Sequence, residues 1–183
     1  YSFMNGKCEM CKAGYYSEGG VSVCESCPEL TWTYQGWSTC RKCPENCIYC
    51  EKESGYCAKC KDGYFRTSSA TCEACEIGSY LVDGSKGKCI KCDNMMYTDK
   101  NASTSCKSCD STCTSCDRKT GYCTSCKEGW ILTNYTCTEC KEGSYANSTK
   151  STECKLCPKG MYQPNKGQGK CFECPKYEYQ DEE

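Results

Sequence analysis

The chain has 183 residues, among them 26 Cys and no His, and 23 basic side chains nearly balance 24 acidic ones for a formal net charge of -1. That balance excludes the basic field of a nucleic-acid-binding surface. The missing imidazole also removes the usual general base of a nucleophilic hydrolase. Only three Val, four Ile, four Leu and three Phe are present, too few for a conventional core to offset the entropy of ordering the chain.

Cysteine at this density replaces that core with covalent staples, and persistent disulfides belong to an oxidising compartment, so the expected location is extracellular or at the cell surface. The longest uninterrupted apolar stretch is Trp130, Ile131 and Leu132, far short of the roughly 20 residues of a membrane helix. Tyr1 opens the chain without a basic start and apolar run, so any secretory signal or anchor is expected outside these residues.

Every cysteine belongs to a CxxC pair, and the pairs start at residues 8, 24, 40, 47, 57, 72, 89, 106, 113, 123, 137, 154 and 171. The spacing order long, long, short, medium, long recurs with a period of about 65 residues, the mark of a repeat protein. Three units follow: 1–71, 72–136 and a partial third at 137–183. CRKCPENCIYCEKESGYCAKCKDGY from Cys40 aligns without a gap on CKSCDSTCTSCDRKTGYCTSCKEGW from Cys106, which makes the repeat an internal duplication.

Within the long-spaced modules, Gly stands three residues after the trailing cysteine at Gly14, Gly63, Gly78, Gly129, Gly143 and Gly160. An aromatic stands five after it at Tyr16, Trp32, Phe65, Tyr80, Tyr97, Tyr145, Tyr162 and Tyr179. Trp130 comes one residue early. The glycine predicts a turn of positive φ, after which the chain extends and lays its ring across a disulfide as a local mini-core. Helical periodicity is absent and Gly, Ser, Thr, Asn and Asp punctuate every gap. The expected fold is a small disulfide-rich repeat, an elongated rod of short β-ribbons and loops with little helix and no conventional hydrophobic core.

Loop closure suggests the bridges. Where pairs are about 16 residues apart, the trailing cysteine of one and the leading cysteine of the next bracket a loop that turns at the glycine and returns. This joins Cys11 to Cys24, Cys27 to Cys40, Cys60 to Cys72, Cys75 to Cys89, Cys92 to Cys106, Cys126 to Cys137, Cys140 to Cys154 and Cys157 to Cys171. The four cysteines left in each short segment are expected to interlace, Cys43 with Cys50 and Cys47 with Cys57, then Cys109 with Cys116 and Cys113 with Cys123. Four cysteines allow three connectivities, and sequence alone does not select one. Cys8 and Cys174 are left over and are expected to pair outside this segment, as in a longer array.

Two other chemistries fit CxxC motifs. Zinc held by the four thiolates of two knuckles suits gaps of this size, but thirteen pairs do not divide into two-pair sites. A thioredoxin-like redox site needs one activated thiolate at a helix start in a βαβ setting, which is missing. No enzyme activity, cofactor or metal is expected.

The segments from Cys40 to Phe65 and from Cys106 to Ile131 resemble the furin-like cysteine-rich repeat of proprotein convertases and growth-factor receptors. The flanking stretches, CKAGYYSEGGVSVCESCP from Cys11 and CKEGSYANSTKSTECKLCPKGMY from Cys140, resemble the CxxGxY module of ephrin and tumour-necrosis-factor receptors. Their alternation is similar to the large cysteine-rich surface proteins of protists, ciliates and Giardia among them. These resemblances imply the trailing-to-leading bridges and the interlaced pairs. Leu30, Met95 and Tyr177 replace the turn glycine and leave the geometry of those loops open.

Three sequons, at Asn101, Asn134 and Asn147, are candidate N-glycan acceptors. Trp32, Tyr34 and Trp37 form the densest aromatic patch, packed on its own loop or serving as a candidate partner contact. The preferred expectation is a structural extracellular or cell-surface protein that coats, spaces or forms filaments, with protein partners that include copies of itself; the alternative is a receptor-type ectodomain module binding a protein ligand.

Overall fold

A computed structural model of the chain describes residues 2–4, 7–18, 23–84 and 87–175; Tyr177 and Tyr179 lie outside the described residues. Among those residues the fold consists of strands and loops without helix, and its twenty-two short strands pair into two-stranded ribbons, none closed into a larger sheet. Every one of these strands is two to four residues long, bounded by a cysteine joint or a turn. The longest hairpin, Trp130–Thr133 against Thr136–Glu139, turns through Asn134 and Tyr135 at φ 49° and 63°. Two successive positive values are what a tight two-residue hairpin needs to match the strand twist.

Twelve disulfides staple these ribbons. By contacts the chain forms two compact units, one of Tyr1–Ile90 with Lys100–Ser105 and the other of Lys91–Asp99 with Cys106–Glu183. The repeat is a period of sequence and the unit a cluster of contacts, so their boundaries differ.

Much of the interior of the first unit is sulfur. Cys47, Cys50, Cys57 and Cys60 form a buried cluster, and Trp32, Tyr64, Cys43 and Cys72 pack against it. A regular asymmetry runs through the long-spaced modules. The trailing cysteines Cys11, Cys27, Cys60, Cys75, Cys92, Cys126, Cys140 and Cys157 are buried, while their partners from the following pair are half-buried. Each bridge therefore reaches from the inside of one module to the flank of the next.

Candidate functional site

The recurring feature of both units is the joint between modules, and its node is the turn three residues after the trailing cysteine. Gly14, Gly63, Gly129, Gly143 and Gly160 take φ between 76° and 85°, a region that L residues enter only at a cost. The carbonyl of the turn residue accepts from the backbone N–H of a cysteine in the next pair: Cys27 to Gly14 at 2.9 Å, Cys75 to Gly63 at 2.8 Å, Cys140 to Gly129 at 2.9 Å and Cys157 to Gly143 at 2.9 Å. Leu30 and Met95, where glycine is replaced, adopt the same left-handed conformation at φ 56° and 67°. They accept the same bond, from Cys43 and Cys109, so the joint imposes the turn on the side chain that happens to be there.

The turn N–H points outward to the following module. In the first unit Gly14 donates to the carbonyl of Thr33 at 2.9 Å and Gly63 to that of Leu81 at 2.7 Å. In the second, Gly129 donates to Ala146 at 2.7 Å and Gly143 to Gln163 at 2.8 Å. The acceptors share one position, six residues after the trailing cysteine. Their own N–H groups continue the ladder, Thr33 to Lys52, Leu81 to Ser103 and Ala146 to Gln168.

In six modules that position is the buried centre, occupied by Ser17, Thr33, Leu81, Thr98, Ala146 and Gln163, none of them more than 4% exposed; after Cys60 and Cys126 it holds Arg66, which is exposed, and Leu132, which is half-buried. The sequence points instead to the neighbouring aromatic, which is half-buried at Trp32, Tyr80 and Tyr97. Where the buried side chain is polar it is satisfied locally: Thr33 Oγ1 donates to the Thr39 carbonyl at 3.1 Å and Gln163 Nε2 to that of Lys170 at 2.6 Å. At Trp32 and Tyr97 the aromatic has a separate task, closing over a glycine. A Cβ on Gly55 would overlap the Trp32 indole, and one on Gly121 would meet the Tyr97 ring at 2.6 Å. These two pairs are equivalent in the duplicated segments.

The same duplication builds one polar turn twice. Glu51 accepts from Gly55 N–H at 2.9 Å, and Asp117 from Gly121 N–H at 2.8 Å. Asp117 also uses its side chain, Oδ1 accepting from the N–H groups of Lys119 and Thr120, both at 2.9 Å. These donors, Lys119 N–H foremost, hold the Asp117 carboxyl below the ordinary carboxylate range. Asp110 is lowered as well, first by the Thr112 hydroxyl and then by the Thr112 N–H. A carboxyl lowered on folding stabilises the native state above its unfolded value and loses that contribution as pH falls through the folded one. Acid titration followed by NMR should therefore show Asp117 and Asp110 protonating below the ordinary carboxylate range. An Asp117→Ala variant should lose the part of the acid-dependent stability that belongs to this turn.

The structure brings the cysteines together as twelve bridges between neighbouring pairs, Cys11–Cys24, Cys27–Cys40, Cys60–Cys72, Cys75–Cys89, Cys92–Cys106, Cys126–Cys137, Cys140–Cys154 and Cys157–Cys171 in the long loops. In the short segments the bridges interlace as Cys43–Cys50, Cys47–Cys57, Cys109–Cys116 and Cys113–Cys123. Cys8 and Cys174 are unbridged. Two groups of three sulfurs have metal-like spacing, Cys47 with Cys57 and Cys72, and Cys113 with Cys123 and Cys137. All six are oxidised in bridges, and metal ligation requires the thiolate.

Trp32, Tyr34 and Trp37 come together as one cluster. Tyr34 stands edge-on to both indoles, with centroids 4.8 and 5.1 Å away, and the Arg41 guanidinium lies 4.2 Å over the Trp37 ring. Trp32 and Trp37 are half-buried and Tyr34 is exposed. Nearby in the same unit, Leu30, Thr31, Ile48, Tyr49 and Lys52 line a groove of about 390 Å³. Its equivalent in the duplicated segment carries Thr114 and Ser115, whose hydroxyls bond to Ser125 and Thr124. Asn101, Asn134 and Asn147 are all exposed.

No curated protein matches the chain. A family model does: the cysteine-rich module described as tyrosine-protein kinase ephrin type A/B receptor-like matches residues 63–109 and 147–183, a little under half of the chain, and identifies those stretches as similar to an ephrin receptor-like cysteine-rich module.

Proposed function

We propose that the chain is a structural segment of an extracellular or cell-surface protein, a glycosylated and disulfide-stapled rod that serves as coat, spacer or filament element and performs no catalysis. The observation that carries this reading is the joint. In module after module the turn N–H, its carbonyl, the buried position and both cysteines are spent on holding the adjacent module. Repeats that contact only their neighbours give quasi-linear arrays whose length scales with repeat number. The likeness to ephrin receptor-like modules supports an extracellular setting. Alternation of two module types supports an array of the kind found in large protist surface proteins.

A coat or filament element associates through surfaces present in each repeat. Sedimentation and cross-linking of the purified protein should show association that grows with concentration and continues past the dimer; a monomer at every concentration would refute the role.

The second reading, a receptor-type module, is favoured by one specific observation. Leu30, Ile48 and Tyr49, the last 63% exposed, line a groove whose apolar Ile48 and Tyr49 are replaced by Thr114 and Ser115 in the duplicated segment. On that reading Tyr34→Ala and Tyr49→Ala abolish binding of a protein ligand while leaving the fold intact.

Glycan attachment is tested separately. Asn134 sits at the hairpin tip beside Tyr135, which is 64% exposed and stacks on Tyr122 with centroids 5.0 Å apart. Protein from a glycosylating host should lose mass on treatment with an N-glycosidase, and Asn134→Gln should lack one glycan's mass.

A further inference from the structure

We propose that the two sulfur triads are thiol–disulfide exchange points, at which opening one bridge moves a bond to its neighbour. In the first triad the Sγ atoms of Cys47, Cys57 and Cys72 lie within 4.8 Å of one another, and in the second those of Cys113, Cys123 and Cys137 do the same. Each triad joins the leading cysteines of three successive pairs and brings two bridges into contact. Cys57 belongs to the Cys47–Cys57 bond and Cys72 to the Cys60–Cys72 bond, yet their sulfurs are only 3.3 Å apart. The duplication repeats the arrangement in a separate compact unit.

Access decides where the exchange starts. Cys57 and Cys60 are fully buried, whereas Cys72 is half-buried, so a small dithiol reaches Cys72 first. Its thiolate attacks Cys72 Sγ, the Cys60–Cys72 bond breaks, and Cys60 leaves as a thiolate that takes up a proton. The second thiol of the reagent then displaces Cys72. The dithiol becomes a cyclic disulfide, giving up the two electrons that reduce the bridge.

Cys72 is now a thiolate beside an intact disulfide, the arrangement from which exchange proceeds. Freed from Cys60, its side chain can swing into line with the Cys57–Cys47 bond. It attacks Cys57 Sγ, the Cys57–Cys72 bond forms, the Cys47–Cys57 bond breaks, and Cys47 leaves as a thiolate, taking up the proton that Cys72 gave up. This second step involves no net oxidation. The two thiols left free, Cys47 and Cys60, stand opposite each other as register partners across the ribbon of Cys47–Cys50 and Cys57–Cys60. Cα atoms paired in this way are about 4.5–5.5 Å apart, within the span of a disulfide. Each triad thus holds two bonding patterns on one backbone.

The test uses the full chain with Cys60→Ser, alkylated without reduction, digested and mapped by mass spectrometry. The expected result is label on Cys47 as well as Cys72, with a Cys57–Cys72 cross-linked peptide and a matching loss of the Cys47–Cys57 peptide. Label on Cys72 alone, with Cys47–Cys57 intact, overturns the proposal. Because Cys60→Ser alters a buried position, unmutated protein treated briefly with one equivalent of dithiol and then acid-quenched gives an independent reading. Exchange leaves Cys47 and Cys60 labelled and Cys57 joined to Cys72. Finding Cys60 and Cys72 labelled beside an intact Cys47–Cys57 bond, or Cys57 joined to many distant partners, overturns it. Cys126→Ser should produce a Cys123–Cys137 peptide in the second triad.

Discussion

Replacing Gly129 with alanine is expected to destabilise the protein by about 3 to 5 kcal/mol, several times the cost of the same change at Gly143. Both glycines have positive φ, 85° and 76°, and an L residue there costs roughly 1–2 kcal/mol at either site. The difference is what surrounds the new methyl group. At Gly143 nothing lies within 4 Å, whereas at Gly129 the Cβ overlaps the Gly167 carbonyl group and the Gln168 nitrogen. Backbone atoms cannot rotate away as a side chain does, so the joint must open and weaken the Gly129 N–H bond to Ala146. Denaturant unfolding with the disulfides intact would show a large drop in midpoint for Gly129→Ala and a small one for Gly143→Ala. Equal drops would mean that the turn matters only for its φ and that the inter-module contact does not stabilise.

The second large effect concerns one bridge. Removing Cys60–Cys72 by a double change to alanine opens a loop of sequence separation 12, worth about 3 kcal/mol in the chain-entropy model. Because Cys60 is fully buried in the sulfur cluster beneath Trp32 and Tyr64, a cavity term of about 1 kcal/mol or more is added. The Cys157–Cys171 bridge closes a loop of similar size, with separation 14; Cys157 is buried too, but outside the cluster in which other buried cysteines and two aromatic rings surround Cys60. Double replacement of this second bridge should therefore cost the loop term with less of the cavity term. Calorimetry on the two variants separates these contributions; identical losses would show that the cluster adds nothing to loop closure.

Much of the fold was legible because disulfide loops obey chain geometry. A glycine three residues after a cysteine and a returning cysteine about a dozen residues on describe a closed loop, and thirteen pairs in a repeating register leave few ways to close them all. The turn conformation was legible at Gly14 and Gly63 but open at Leu30 and Met95, since the joint that holds those residues at positive φ is made by Cys43 and Cys109 from the next pair.

The buried centre of six of the modules was not legible. Ser17, Thr33 and Thr98 carry hydroxyls, Leu81 and Ala146 are apolar and Gln163 is an amide, so no single side-chain type marks the position, which backbone hydrogen bonds define. The aromatic one residue earlier shows in the sequence by its regular spacing, and at Trp32 and Tyr97 the ring covers Gly55 and Gly121. The sulfur triads were hidden for a related reason. Cys47, Cys57 and Cys72 come from three pairs whose convergence depends on two loops folding at once.

The twelve bridges run between neighbouring CxxC pairs and never within one. Digestion of the folded, unreduced protein after thiol alkylation, with the cross-linked peptides identified by mass spectrometry, tests this directly. The expected map contains the twelve inter-pair bridges from Cys11–Cys24 to Cys157–Cys171. Bridges closed inside single CxxC motifs, or 26 alkylated thiols accompanied by bound zinc, would contradict it.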